Sequence, residues 1–139
     1  MDGYENEKAA PAPFETEMAV RDYECDLQGI VNNAVYQHYL EHARHEFLHA
    51  RDLDFSTLHA EGYDPVVARI EMDFRKSLRP GDRFVVRVSI RREGRLKLIF
   101  EQRILLLPDR EPVLDAKVIV VTLRDGRPVP PAFLDKPAG

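Results

Sequence analysis

With a single cysteine, Cys25, the chain cannot build an internal disulfide framework or a multi-cysteine zinc site. Cys25 is left as a free thiol or an intermolecular link, and so sparing a use of cysteine fits a reducing compartment. No apolar run approaches the ~20 residues that span a bilayer. The opening stretch MDGYENEKAAPAPFE has neither the basic segment nor the apolar run of a secretory signal. The cytoplasm is therefore the expected compartment, or the plastid stroma if a transit peptide has been removed. Positive charge is scarce at the start, where Asp2, Glu5, Glu7, Glu15 and Glu17 stand against Lys8 alone, an imbalance equal to the whole net charge of −4. The remainder is neutral overall, yet residues 69–103 hold eleven Lys or Arg against five acids. Such a segment either favours phosphate groups or lays long cations over the solvent side of a sheet. It carries no nucleic-acid recognition motif, and the chain as a whole is acidic, so no nucleic-acid partner is expected.

What is present suffices for one core: 139 residues, 44% of them hydrophobic. Residues 1–13 combine acids, alanines and prolines without periodicity and read as a flexible tail. Residues 14–126 read as the folded domain, and the proline-rich 127–139 as an irregular surface tail. Imperfect alternation over 15–23 predicts a first strand. From Ala34 to about Arg51, Tyr36, Leu40, Ala43 and Phe47 recur at helical spacing, with Asn33 as the expected N-cap. Four β-rich runs follow, Val66–Phe74, Phe84–Arg92, Leu96–Leu107 and Val113–Leu123, joined by short turns at 79–82, 93–95 and 108–110. Five antiparallel strands with one long helix make an α+β fold.

Chemistry concentrates between the first strand and the helix. Asp26 lies three residues before Gly29, and Asn32-Asn33 lead into the helix, so a carboxylate neighbours the unpaired N–H groups of a helix N-terminus. A polarised carbonyl fits between the two. A turn aspartate bonding its own backbone would leave the same sequence trace. Cys25 beside Asp26 is a poor nucleophile candidate, because strand neighbours point to opposite faces and no oriented base can be placed. His38, His42, His45 and His49 line one helix face at a spacing that suits Zn²⁺ or Ni²⁺, but a pair such as His38 and His42 lacks the glutamate at the next position that the zinc-protease motif requires. An exposed or interfacial histidine stripe is the expected reading, with no metal.

The run Asp26-x-x-Gly29-Ile30-Val31-x-x-x-x-Tyr36-x-x-Tyr39-x-Glu41-x-x-Arg44 resembles the 4-hydroxybenzoyl-CoA thioesterase family of hotdog-fold enzymes. The segments FRKSLRPGDRFVV (74–86) and PDREPVLDAK (108–117) are most similar to its bacterial-type and plant acyl-(acyl carrier protein) thioesterase branch. The resemblance covers roughly residues 16 to 126. It implies a sheet wrapped around one long central helix and hydrolysis of acyl thioesters of coenzyme A or an acyl carrier protein, with no cofactor. It also implies a homo-oligomer, at least a dimer and commonly a tetramer, with the acyl pocket between subunits. Asp26 would be the catalytic carboxylate, as base or as nucleophile, and the backbone amide of Asn33 the oxyanion donor. Relatives often carry Tyr or His at that position, so a role for an imidazole there is lost while a main-chain role survives. Gly29 and Tyr36 would contact substrate, and Arg92, Arg95 and Lys97 the phosphates of coenzyme A. Glu41 is the reserve carboxylate and, with Arg44 at i+3, a candidate ion pair.

The resemblance favours fatty or β-ketoacyl chains over aromatic acyl groups. Two other functions compete: a hotdog dehydratase, which would need a histidine near Asp26 where none stands, and a non-catalytic acyl-thioester binding module.

Overall fold

The computed structural model describes residues 13–135. Strand β1 (Phe14–Ala19) is followed by a 3-10 turn at Asp22–Glu24 and helix α1 (Asn33–His49). Helix α2 (Phe55–Ala60) then leads into β2 (Asp64–Phe74), β3 (Arg83–Glu93), β4 (Lys97–Leu106), β5 (Glu111–Arg124) and β6 (Arg127–Val129). The strands pair antiparallel in the order β1-β3-β4-β5-β2, and short β6 adds to β5. Each turn expected between strands is observed. No helix among the described residues is long and apolar enough to cross a membrane.

Helix α1 lies on one face of this sheet because its apolar stripe meets the inward residues of the strands. Tyr36, Leu40, Ala43 and Phe47 are all buried, in one cluster with Phe84, Val86 and Val88 of β3, Leu98 and Phe100 of β4, and Val118 and Val120 of β5. One polar pair interrupts that interface. Gln102 of β4 donates from Nε2 to the Leu40 carbonyl at 2.9 Å, and Arg44 donates from a guanidinium nitrogen to Gln102 Oε1 at 2.9 Å. The expected Glu41–Arg44 ion pair does not form, because Arg44 turns inward to Gln102 while Glu41 stays exposed.

Three local expectations are corrected. The N-cap is Asn32, whose backbone is extended and whose side chain accepts from the Ala34 N–H at 3.0 Å; Asn33 is the first helical residue. A second helix, α2, is capped by Asp54, which accepts from the Thr57 N–H at 2.7 Å. The segment from 127 is not irregular over its described part. Asp125 and Gly126, both with positive φ, turn the chain into β6, and Phe133 is buried against the Tyr63 ring. Arg92 fastens this segment through the Pro131 carbonyl at 3.0 Å and Asp135 at 2.7 Å. The flexible tail expected at 1–13 lies almost wholly outside the described residues.

The outer face of the sheet carries a lattice of charge in register across strands. Asp115 accepts from Arg75 at 2.7 Å and from Arg103 at 2.6 Å, and Glu15 is paired with Arg87 and Arg110. Burial pushes the Asp115 carboxyl up, but the two guanidinium groups outweigh it and hold it below the usual range. A depressed folded-state pKa stabilises above the unfolded value of about 3.9, and that contribution disappears as pH falls through the folded value. Asp115→Asn is expected to lower the melting temperature by a few degrees at pH 7, with the gap to wild type closing towards pH 2; a gap independent of pH would rule the ion pairs out as its source.

Candidate active site

The residues between β1 and α1 close into a small hairpin. The Asn32 N–H donates to the Glu24 carbonyl at 3.1 Å, Cys25 bridges Val31, and the Asp26 N–H donates to the Ile30 carbonyl at 2.9 Å. At the tip, Gly29 has φ +77, a conformation that side chains other than glycine's adopt only under strain, and its N–H returns to the Asp26 carbonyl at 3.0 Å. The hairpin is tied to the body of the subunit at several points. The Val31 N–H reaches the Leu78 carbonyl at 2.9 Å, and the Val20 N–H reaches the Asp82 carbonyl at 2.9 Å. Glu24 accepts from the Tyr39 hydroxyl and from the Arg21 N–H, each at 2.8 Å.

This frame presents Asp26 at the surface with its carboxylate accepting the Gln28 N–H at 2.8 Å. The bond is that of an aspartate turn, and it leaves the second carboxylate oxygen without an acceptor role among the described residues. Asn33 follows the hairpin at the first position of α1. Its N–H meets no acceptor among the described residues, as the geometry of a helix start requires. Asn33 and Tyr36 line a groove of about 440 Å³ with Phe74, Arg75, Lys76 and Ser77. Those last four open the segment 74–86 that carries part of the family resemblance, but nothing in the sequence places them beside Asn33. The Tyr36 ring meets Phe74 edge-on at 5.4 Å between centroids, and its hydroxyl accepts the Leu78 N–H at 3.0 Å. Burial pushes the Tyr36 phenol above its ordinary pKa, so it stays protonated at neutral pH. Burial and the neighbouring carboxylates of Glu24 and Asp26 likewise push the half-buried Cys25 thiol up, which disfavours the thiolate a nucleophile needs.

Two sets of candidates do not join this group. Glu41 faces a different cavity, farther along α1, that it shares with Arg44. Arg92, Arg95 and Lys97 sit at the β3–β4 turn, whereas Arg83 at the start of β3 pairs with Ala19 beside the hairpin. Nine residues of strand separate the ends, about 30 Å at ~3.3 Å per residue. Arg92 is also occupied by the C-terminal segment, while Arg95 and Lys97 carry no ion pair among the described residues. Of the four helix histidines, His45 packs against Phe55 at 4.6 Å and the other three are exposed; among the described residues no cluster is arranged to hold a metal ion.

An antiparallel sheet curled on one long helix is the hotdog arrangement seen in solved relatives. A protein of Aquifex aeolicus superposes with a TM-score of 0.82 at 26% identity, covering 88% of this chain and 98% of that one. A thioesterase of Thermus thermophilus, crystallised with coenzyme A and zinc, superposes with a TM-score of 0.70 at 30% identity over 84% and 88%. The chain belongs to the thioesterase-like superfamily, which it matches over residues 20–136. It is 41% identical over 109 residues to the chloroplastic acyl-acyl carrier protein thioesterase ATL3 of Arabidopsis thaliana. That match covers 78% of this chain but only 57% of the relative's length.

The Tyr36–Leu78 bond joins the helix start to the segment between β2 and β3. Tyr36→Phe is expected to leave the buried Leu78 N–H unpaired at a cost of about 1–3 kcal/mol, read from urea unfolding; an unchanged midpoint would show that the bond contributes nothing.

Proposed function

We propose that this chain hydrolyses acyl thioesters, of coenzyme A or of an acyl carrier protein, to a free carboxylic acid and a thiol. The observation that carries the proposal is the unpaired Asn33 N–H at the start of α1, opening on a groove lined by Tyr36 and Phe74 and following the hairpin that carries Asp26, in a chain of the thioesterase-like superfamily. In this reading the thioester carbonyl oxygen accepts from the Asn33 N–H, and the helix dipole adds to the stabilisation as negative charge develops there. Asp26 either deprotonates water or attacks the carbonyl itself, and the acyl group enters past Gly29 towards Tyr36 and Phe74. No cofactor is required. The Asp26–Gln28 turn bond favours the competing reading, a non-catalytic thioester-binding module in which Asp26 only shapes the loop.

We also propose that two subunits complete each site. Leu27 is fully exposed at the hairpin tip and Tyr23 is 78% exposed, an apolar surface that a lone subunit leaves in water. Strand β2 is an edge strand of eleven residues with Val66, Val67 and Phe74 exposed. Antiparallel pairing of two β2 edges about a two-fold axis sets the hairpin end of one subunit beside the β3–β4 end of the other. That places Arg95 and Lys97 where they can meet the phosphates of a thiol carrier bound at the neighbouring Asp26.

Proline is favoured at the first helical position and Asn32 already has the extended backbone it demands, so Asn33→Pro removes the N–H while keeping the helix. On acyl-CoA and acyl-carrier-protein substrates, Asn33→Pro is expected to lose ~10²–10³-fold in kcat and Asp26→Asn ~10²-fold or more. Asn33→Ala should stay near wild type, and Arg95→Ala with Lys97→Ala should raise KM. An active Asn33→Pro enzyme would remove the main-chain donor from the mechanism, and an active Asp26→Asn enzyme would shift the carboxylate role to Glu41. Substrate binding without turnover in the wild type would establish the binding module instead. Native mass spectrometry should show at least a dimer that Val67→Lys weakens; a wild-type monomer with full activity would refute the shared site.

A further inference from the structure

Two titratable side chains stand behind the candidate site, largely withdrawn from water, and take no part in the proposed chemistry. Tyr39 of α1 retains 4% of its surface, and the Glu24 side chain at the hairpin base 12%. The Tyr39 hydroxyl donates to Glu24 Oε1 at 2.8 Å, and the Arg21 N–H donates to the same oxygen at 2.8 Å. The other carboxylate oxygen faces the Arg21 guanidinium at 3.4 Å. The main chain of Glu24 is engaged as well, its carbonyl accepting the Asn32 N–H at 3.1 Å. Asn32 caps α1 through the Ala34 N–H and immediately precedes Asn33. A closed ring results, from Tyr39 to the Glu24 side chain, from the Glu24 carbonyl to Asn32, and back to Tyr39 along about 10 Å of helix at ~1.5 Å per residue.

Packing alone does not call for this arrangement. The Tyr39 ring meets Phe84 at 4.7 Å and Tyr36 edge-on at 6.1 Å between centroids, contacts that a phenylalanine would make equally well. Withdrawing a carboxylate from water is costly unless hydrogen bonds satisfy it, so the pair adds fixed geometry to the hairpin rather than apolar contact. Burial, and then the bond to Glu24, pushes the Tyr39 phenol up, so it stays a donor at neutral pH. We infer that Tyr39 and Glu24 are a positioning pair for the proposed hydrolysis: by fixing the hairpin base against the second turn of α1, they hold the Asn33 N–H and the Asp26 loop in the relative placement that attack on a thioester requires. The next rung of the hairpin, Cys25 with Val31, carries the constraint on to Asp26. A misplacement of about 1 Å at a reacting centre costs ~10²-fold in rate, so a small loosening here is enough to be read in turnover.

This role presupposes the thioester hydrolysis proposed above, but amide exchange reads it without substrate, so the two can fail separately. Tyr39→Phe in the full-length protein is expected to lower kcat ~10-fold while KM stays within about twofold, the mark of stabilisation lost only in the transition state. Glu24→Ala should do the same. Glu24→Gln should stay within about threefold of wild type, because its amide oxygen accepts the same two donors, and the double variant Tyr39→Phe/Glu24→Ala should be no slower than the worse single one. In hydrogen exchange, the Asn32 amide should exchange ~10-fold faster in Tyr39→Phe than in wild type, with the β4 amides unchanged. An undiminished kcat in Tyr39→Phe, or a Glu24→Gln enzyme as slow as Glu24→Ala, would overturn the pairing. Equal acceleration of the Asn32 and β4 amides would overturn it too, since that reports general loosening. If the wild type hydrolyses no thioester, the Asn32 exchange rate alone decides, and if Tyr39→Phe does not fold, the comparison of Glu24→Ala with Glu24→Gln does.

Discussion

The contact of Gln102 with the Leu40 carbonyl and with Arg44 sits in the middle of the helix–sheet interface, and the rest of the subunit is organised about it. Apolar packing alone tolerates sliding, since a leucine meets one neighbour about as well as another. Two buried hydrogen bonds do not tolerate it, because any shift of α1 along β4 strands polar groups away from water. Fixing that one level of the helix fixes its ends. Asn33 is held at the hairpin and Leu48 at the far end, beside α2 and the C-terminal segment.

The subunit therefore has two unlike ends. The hairpin end offers an exposed carboxylate, an unpaired main-chain donor and an aromatic groove. The far end offers Arg95 and Lys97 at a tight turn, together with a cavity whose charged members are the exposed Glu41 and the buried Arg44. An antiparallel sheet makes this separation unavoidable, since a strand that begins beside the hairpin finishes at the opposite side. Chemistry that needs both ends has to draw them from different chains, which ties the case for a shared site to strand direction.

The strands were legible in the sequence wherever turn chemistry punctuated them. Pro80-Gly81-Asp82 and Glu93-Gly94-Arg95 gave boundaries within a residue or two of those observed, because few residues besides glycine accept the backbone those turns require. The helix stripe from Tyr36 to Phe47 was equally plain. Helix α2 was not, since only Leu58 of its six residues is buried and no period shows in so short a segment. β6 was masked by Pro128 and Pro130, although the Asp125-Gly126 pair carried a hairpin signal that composition overrode. The start of α1 was misplaced by one residue because two adjacent asparagines are equally good caps on paper; backbone conformation chose Asn32 and left Asn33 with a free N–H. Arg92 looked like any other cation of its segment, and its attachment to Asp135 depends on a fold-back that local sequence does not encode. The groove residues from Phe74 to Ser77 stood in a segment that the family resemblance marked, but their meeting with Asn33 was illegible for a related reason, since they come to it from a different part of the chain.

The hairpin ahead of α1 divides sharply into a base and a tip. Its base is stitched by main-chain bonds from Glu24 to Asn32 and anchored through Tyr39 and Leu78, while Leu27 and Gln28 at the tip carry no packing obligation to their own subunit. Side-chain replacements at those two positions can accumulate without disturbing the helix start, because nothing in the core senses them. The loop thus works as an interchangeable fitting on a fixed mount, and divergence between descendants of this scaffold should gather at the tip sooner than in the residues that hold it.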